Sequence, residues 1–364
     1  MFVDRGLTPV QVASTLMAWS IVGIGLQIPA GVLADRWSRR GVLCIAQWVR
    51  IIGFLIWIVW PNYWGYLAGM CLWGVKSALT NGTFEALLYD ELAVLERQGD
   101  YARLVGRAQA VGYGAVLLAS LSAGVSITFG YNAVIWASIA ATLGATVAAL
   151  ALPRAPIRLT LSTPKIAQDL RAGLGFAARH PLIPWIIAMA AVSQAFGGGL
   201  EGFWPIYASG TGLALANVAY FSGAVGATQA IANVLAHRIS SVSEALFYGV
   251  LIAAGVILAG AAGLFQPWTI GLILVVAGLF KVIDINFDAR LQAQIPTESR
   301  ATLSSVKSFA GQIVMTLMLA AFGPLASATS YRSAFLATGI AIAMIGISFL
   351  AARPFASRAA RAIR

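Results

Sequence analysis

A chain of 364 residues that is 59% hydrophobic and only 10% charged, with mean hydropathy +0.82, cannot cover a water-facing surface, where about a quarter of residues are ordinarily charged. That excludes a soluble globular domain and makes the chain an integral membrane protein. A net charge of +11 would point to nucleic acid in a soluble protein, but here its distribution points to membrane topology instead. Cys44 and Cys71 both lie in apolar runs and read as buried structural thiols, so neither a disulfide framework nor a thiolate metal site is expected. No charged n-region and apolar h-region precede residue 10, so no cleavable signal peptide is read.

A membrane span needs about 20 mostly apolar residues. In chain order the candidates are 11–33, 42–60, 64–88, 105–127, 132–152, 182–206, 215–236, 243–264, 268–289, 304–326 and 333–352. These eleven predict an all-α polytopic fold with short connections between antiparallel neighbours. The exception is 153–181, polar, basic and bounded by Pro153 and Pro181. It reads as a linker between a helical bundle at 1–152 and another at 182–352, with a short surface helix near 165–178. A basic tail, 353–364, ends the chain.

Lys and Arg set the orientation. Of 24 such residues, only Arg5 and Arg332 fall on one side, and Arg50, Lys76 and Lys281 fall within spans. All the others lie in alternate connections on the opposite side, beginning with Arg36, Arg39 and Arg40. The charged side, with the linker and the C-terminus, is therefore expected to be cytoplasmic, in a multi-pass inner-membrane protein. Trp57, Trp60, Tyr63, Trp64 and Tyr66 cluster at an outer turn as an interfacial belt.

The two bundles repeat. "VLADRWS" at 32–38 and "VLAHRIS" at 234–240 lie 202 residues apart, "FEALL" and "FDARL" 203, and "RGLTPVQVA" and "TGLALANVA" 206. Three matches in order at nearly one offset argue for two halves with one helical plan. On this alignment the partner of 182–206 lies ahead of Met1, so the intact plan is expected to be six plus six, with twelve spans.

Several ionisable residues fall inside spans, where each costs roughly 2.5–3.5 kcal/mol on insertion scales. Lys76 is mid-span in 64–88. Lys281, Asp284 and Asp288 form one stripe at i, i+3 and i+7, and Gly74 and Gly278 precede the two lysines at nearly matching repeat positions. The functional reading is a solute path with Asp284 or Asp288 as proton carrier and lysine as counter-charge. The structural one is a static Lys281–Asp284 pair with Asp288 among headgroups. Glu201 follows "FGGGL", where three glycines permit a bend or a close approach. It reads as a gate or proton site, or as an interfacial carboxylate. Glu85, near the cytoplasmic end of its span, fits a latch or solvated role better than solute contact, and Arg50 fits a structural one. "NGT" at 81–83 lies within a span and is discounted as a glycosylation site. No P-loop is present, His180 and His237 are isolated, and no Ser/His/Asp set suggests an enzyme.

"GVLADRWSRR" at 31–40 resembles the signature loop of the major facilitator superfamily of secondary transporters, Gly-x-Leu-Ala-Asp-Arg-x-Gly-Arg-Arg. Gly31, Leu33, Ala34, Asp35, Arg36, Arg39 and Arg40 match it, and Ser38 stands at the family's Gly. In the second copy His237 replaces Asp35. The resemblance spans the whole chain as helices two to twelve. It implies a two-bundle fold working by alternating access, a cytoplasmic latch of Asp35 and the arginines with Asp90 or Glu91, and a small-molecule substrate handled by a monomer in the bilayer. A proton gradient, rather than a cofactor, is the expected energy source. The Gly-Pro signature of family drug exporters is missing from 105–127, with Gly323-Pro324 in the second half instead, which weakens drug efflux by antiport. The rival reading is a non-transporting membrane sensor or assembly factor of the same fold. The two lysines favour an anionic or zwitterionic solute over a cation.

Overall fold

A computed structural model describes residues 1–153, 183–236, 243–294 and 300–361. Nearly all of the expected linker with its short helix, together with His180 and His237, lies outside the described residues, as do the side chains of Asp35, Arg36 and 353–364. Every long element among the described residues is an α-helix: α1 Pro9–Arg36, α2 Arg39–Val59, α3 Tyr63–Thr80, α4 Thr83–Val94, α5 Tyr101–Ser126, α6 Tyr131–Ala151, α7 Ile183–Glu201, α8 Trp204–Gly210, α9 Leu215–Ala236, α10 Glu244–Leu264, α11 Ile270–Gln294, α12 Arg300–Ala328 and α13 Tyr331–Arg361.

Ten helices among the described residues are long and apolar enough to cross a membrane, each matching one of the eleven expected spans. The eleventh, 64–88, is not one helix. Asn81 closes α3 in an extended conformation and Gly82, at φ +74°, starts α4. That left-handed conformation strains residues with a Cβ and suits glycine. The expected span 182–206 likewise ends early, at Glu201, before the short α8.

Helix starts follow local chemistry. The Thr8 hydroxyl accepts the Gln11 amide while the Gln11 side chain accepts the Thr8 N–H, with Pro9 in the first turn, a reciprocal cap. The Asn62 side chain accepts the N–H groups of Trp64 and Gly65. Ser38, at the family's Gly position, is extended and caps α2 by accepting Gly41 N–H at 3.1 Å. The α1–α2 turn therefore needs no glycine there.

The chain divides into two units, Met1–Leu161 and Ser162–Arg364. In the first, α1 packs on α3, α3 on α2, and α2 on α6. In the second, α9 packs on α11, α11 on α10, and α10 on α13. The pairings repeat in the same order, as the sequence offsets imply. In the second unit α7 additionally packs along α11 and α12. In the first, α5, the counterpart of α12, touches its neighbours sparsely, with Val111, Leu118 and Val125 exposed. Cys44 and Cys71 are half-buried free thiols.

Small residues set the closest helix approaches, as is usual where lipid supplies no hydrophobic drive between helices. On α13 a Cβ added at Gly339 would stand 2.5 Å from the backbone N of Ala259 and 2.8 Å from the carbonyl of Gly255, both on α10. Backbone cannot step aside, so Gly339→Ala is expected to destabilise the second unit by about 1–3 kcal/mol. Thermal unfolding in detergent checks this, with Gly271→Ala, which meets no atom within 4 Å, expected to unfold like the unaltered protein.

Candidate functional site

At the arginine-rich end of the first unit, α2 begins with Arg39 and Arg40. The Arg39 guanidinium donates to the Asp90 carboxylate and, at 2.7 Å, to the Ala86 carbonyl, both on α4. Arg39 and Asp90 are each only about one-fifth exposed, 21% and 20%. Arg40 donates to the Leu152 carbonyl just beyond α6 at 3.0 Å. One turn of α2 thus ties α4 and the end of α6 together. Gly31 meets nothing, since a Cβ there would have no atom within 4 Å. Glu85 is half-buried on α4 with no ion pair among the described residues, and Glu91 buries an unpartnered carboxylate oxygen.

The second unit carries a counterpart that charge-by-charge alignment misses. Glu244, in the first turn of α10, lies 3.6 Å from Arg290 on α11. Arg290 also stands over the Phe247 ring at 5.0 Å and the Phe287 ring at 5.9 Å. The polarity is inverted. In the first unit the cation starts α2 and the anion lies on α4; in the second, the anion starts α10 and the cation lies on α11. The sequence signal is the pairing of "FEALL" with "FDARL", which sets Arg290 in the neighbourhood of Asp90.

The stripe Lys281, Asp284, Asp288 is divided by the structure. Asp288, read either on a proton path or among headgroups, forms an interhelical ion pair with Lys307 of α12 at 2.6 Å. Lys281 and Asp284 lie 3.7 Å apart and are each about one-third exposed. Glu201, at the end of α7, is exposed and has Gln229 of α9 and Lys281 within electrostatic reach. The Gly197–Gly199 run lets α7 approach its neighbours: a Cβ at Gly197 would lie 3.3 Å from Phe280, and one at Gly199 3.0 Å from Met315. Lys281 thus pairs with Asp284 on its own helix and is also within Coulombic reach of Glu201 on α7. Gln229, an uncharged amide inside an apolar span, carried no sequence signal.

Lys76 lies on α3 within Coulombic reach of Arg50 on α2 and, among the described residues, is in no ion pair. The expected symmetry of the two lysines is thus broken, because Lys281 has acidic company and Lys76 has a second cation. Among the described residues no three His, Cys, Asp or Glu are placed to hold a metal ion.

Compared with known proteins, residues 1–318 match the family described as Major Facilitator Superfamily. No curated protein sequence matches the chain. Among solved structures, a point mutant of the nucleoside transporter NupG superposes with TM-score 0.79 at 12% identity, covering 96% of this chain and 92% of that one. Unaltered NupG gives 0.73 at 13%, with the same coverage. A D-xylose-proton symporter gives 0.69 at 16%, covering 96% and 90%. At these identities the likeness is one of fold.

Proposed function

Since the chain belongs to the major facilitator superfamily, we propose that it is a secondary transporter moving a small solute by alternating access, with the flow of protons as its energy source. The observation that carries the coupling is the group Glu201, Lys281 and Asp284. Asp284 pairs with Lys281 and Glu201 stands within Coulombic reach of the same ammonium, so with all three ionised one negative charge is left uncompensated. Such a charge costs roughly 2.5–3.5 kcal/mol inside a span, and one proton removes it.

The test uses purified protein in liposomes loaded with a pH-sensitive dye, challenged with gradients of a broad metabolite panel. Solute-dependent movement of protons is the expected result. No proton movement with any solute, together with unchanging accessibility of cysteines placed beside Glu201, would sink the proposal and favour a non-transporting protein of the same fold.

A further inference from the structure

The Glu244–Arg290 pair of the second unit is not held by its two charges alone. One turn along α10 from Glu244 stands Tyr248, whose side chain is fully buried. Its hydroxyl donates to Oε2 of Glu244 at 3.4 Å and accepts the indole N–H of Trp185 at 2.5 Å. Arg290 stands 3.6 Å from the other carboxylate oxygen, Oε1. Trp185 lies in the first turn of α7, the first described helix after the linker at 153–181. Chemistry fixes the direction of these bonds. An indole N–H only donates and a carboxylate only accepts, so a hydroxyl between them accepts from Trp185 and sends its own proton to Glu244. One hydroxyl serves both neighbours, and the two bonds reinforce each other.

Aromatic rings keep this chain of bonds in place. Trp185 meets Phe349 of α13 edge to face, with ring centroids 4.7 Å apart, and Phe349 stacks on Tyr248 at 5.8 Å. Tyr248 in turn lies 6.2 Å from Phe287, the ring over which Arg290 stands. Helices α7, α10, α11 and α13 all reach this cluster. The first unit has no such chain at the matching register. The residues 202–206 positions before Tyr248 are Val42, Leu43, Cys44, Ile45 and Ala46, a run without a hydroxyl. There Arg40 reaches the Leu152 carbonyl instead. The chain of bonds is therefore an addition of the second unit, not a requirement of the repeated plan.

We infer that Trp185 and Tyr248 are positioning residues for the Glu244–Arg290 pair, and that through them the pair answers to the seating of the head of α7. With Trp185 in place, the hydroxyl proton is committed to Glu244, and the carboxylate is held where Arg290 meets it. With Trp185 withdrawn, the hydroxyl is free to turn, and the carboxylate loses the bond that aligned it. The link to a change of access state rests on the transporter reading; the relay from Trp185 to Glu244 does not.

Fluorine NMR of the full chain, labelled with 5-fluorotryptophan and held in lipid nanodiscs, reads the relay. The Trp185 resonance is the one lost in Trp185→Phe. Glu244→Gln, two hydrogen bonds away from the indole, is expected to shift it. On a Tyr248→Phe background, which keeps the ring and its stacking, the same substitution should leave the resonance unmoved. A charge acting through space would shift it on both backgrounds. The access balance, read by cysteine labelling in a background lacking Cys44 and Cys71, gives the second arm. Tyr248→Phe and Glu244→Gln should each shift that balance at least fivefold, and together by no more than the larger single effect, because they break one relay. Tyr248→Phe and Asp90→Asn, which lie in different units, should instead multiply. A Trp185 resonance that ignores Glu244→Gln, one that responds equally without the Tyr248 hydroxyl, or multiplying effects of Tyr248→Phe and Glu244→Gln overturns the inference. A relay present in the spectra, beside an access balance that no substitution moves, Asp90→Asn included, leaves the positioning standing and removes the transporter reading. Solute-driven proton movement beside a silent relay does the reverse.

Discussion

Asp284→Asn should reduce uphill accumulation of the solute to equilibration while leaving membrane insertion and solute exchange intact. With the carboxylate gone, Glu201 and Lys281 form a neutral pair, and the set no longer needs a proton to shed charge. Glu201→Gln should do the same from the other side, leaving the Lys281–Asp284 pair. One charge falling through 100 mV supplies about 2.3 kcal/mol, which is roughly a 50-fold concentration ratio. Either variant should bring that ratio to one. The measurement is accumulation in energised vesicles beside exchange between labelled and unlabelled solute in de-energised ones. Undiminished accumulation in both variants would remove the pair from coupling. Loss of exchange as well as accumulation would make the carboxylates solute ligands instead.

Asp90→Asn should shift the balance between access states by about 5–150-fold, the range spanned by coupling energies of 1–3 kcal/mol. The Arg39–Asp90 pair is too shielded to be worth as little as a surface bridge and too wet to carry the several kcal/mol of a sealed one. Removing Asp90 leaves Arg39 half-buried, with the Ala86 carbonyl still accepting from it on α4. Labelling of single cysteines at the two ends of the spans, in a background lacking Cys44 and Cys71, reads the shift. The exchanged pair, Arg39→Asp with Asp90→Arg, should return part of it, because the attraction survives reversal. Glu244→Gln, in the other unit, should shift the balance independently, so the two effects add. A population unmoved by either substitution would reduce both pairs to fasteners within their own units.

Much of this architecture was readable from residue order alone, for identifiable physical reasons. Spans announce themselves by length and apolarity, and the repeat by its offset. The charged residues of α11 were legible because charge inside an apolar run is expensive and therefore conspicuous. What escaped was local or relational. The break between α3 and α4 was hidden because apolar residues continue on both sides of Asn81–Gly82; the Asn-Gly pair itself was the signal. Glu244 and Arg290 escaped because alignment compares residue types, and here the attraction is kept while its sign is exchanged. Asp288 reads either as part of a path or as a headgroup-facing carboxylate, and its partner Lys307, on another helix, is not tied to it by spacing. Arg50 read as structural, and its stack on Trp73 bears that out in part. The sequence did not bring it to Lys76, since the two lie on different helices.

The break at Gly82 bears on how the protein is made. It leaves α3 with 18 residues, including Lys76, and α3 is not among the ten helices that length and composition alone qualify to cross a bilayer. What α3 has instead is a fitted seat. A Cβ at Gly74 would stand 2.7 Å from the Trp19 carbonyl of α1, and one at Gly53 of α2 would stand 3.3 Å from the Gly69 carbonyl of α3. Both partner helices leave the ribosome first. A bulky residue at Gly74 is therefore expected to cost this helix its place in the bilayer before any question of transport arises.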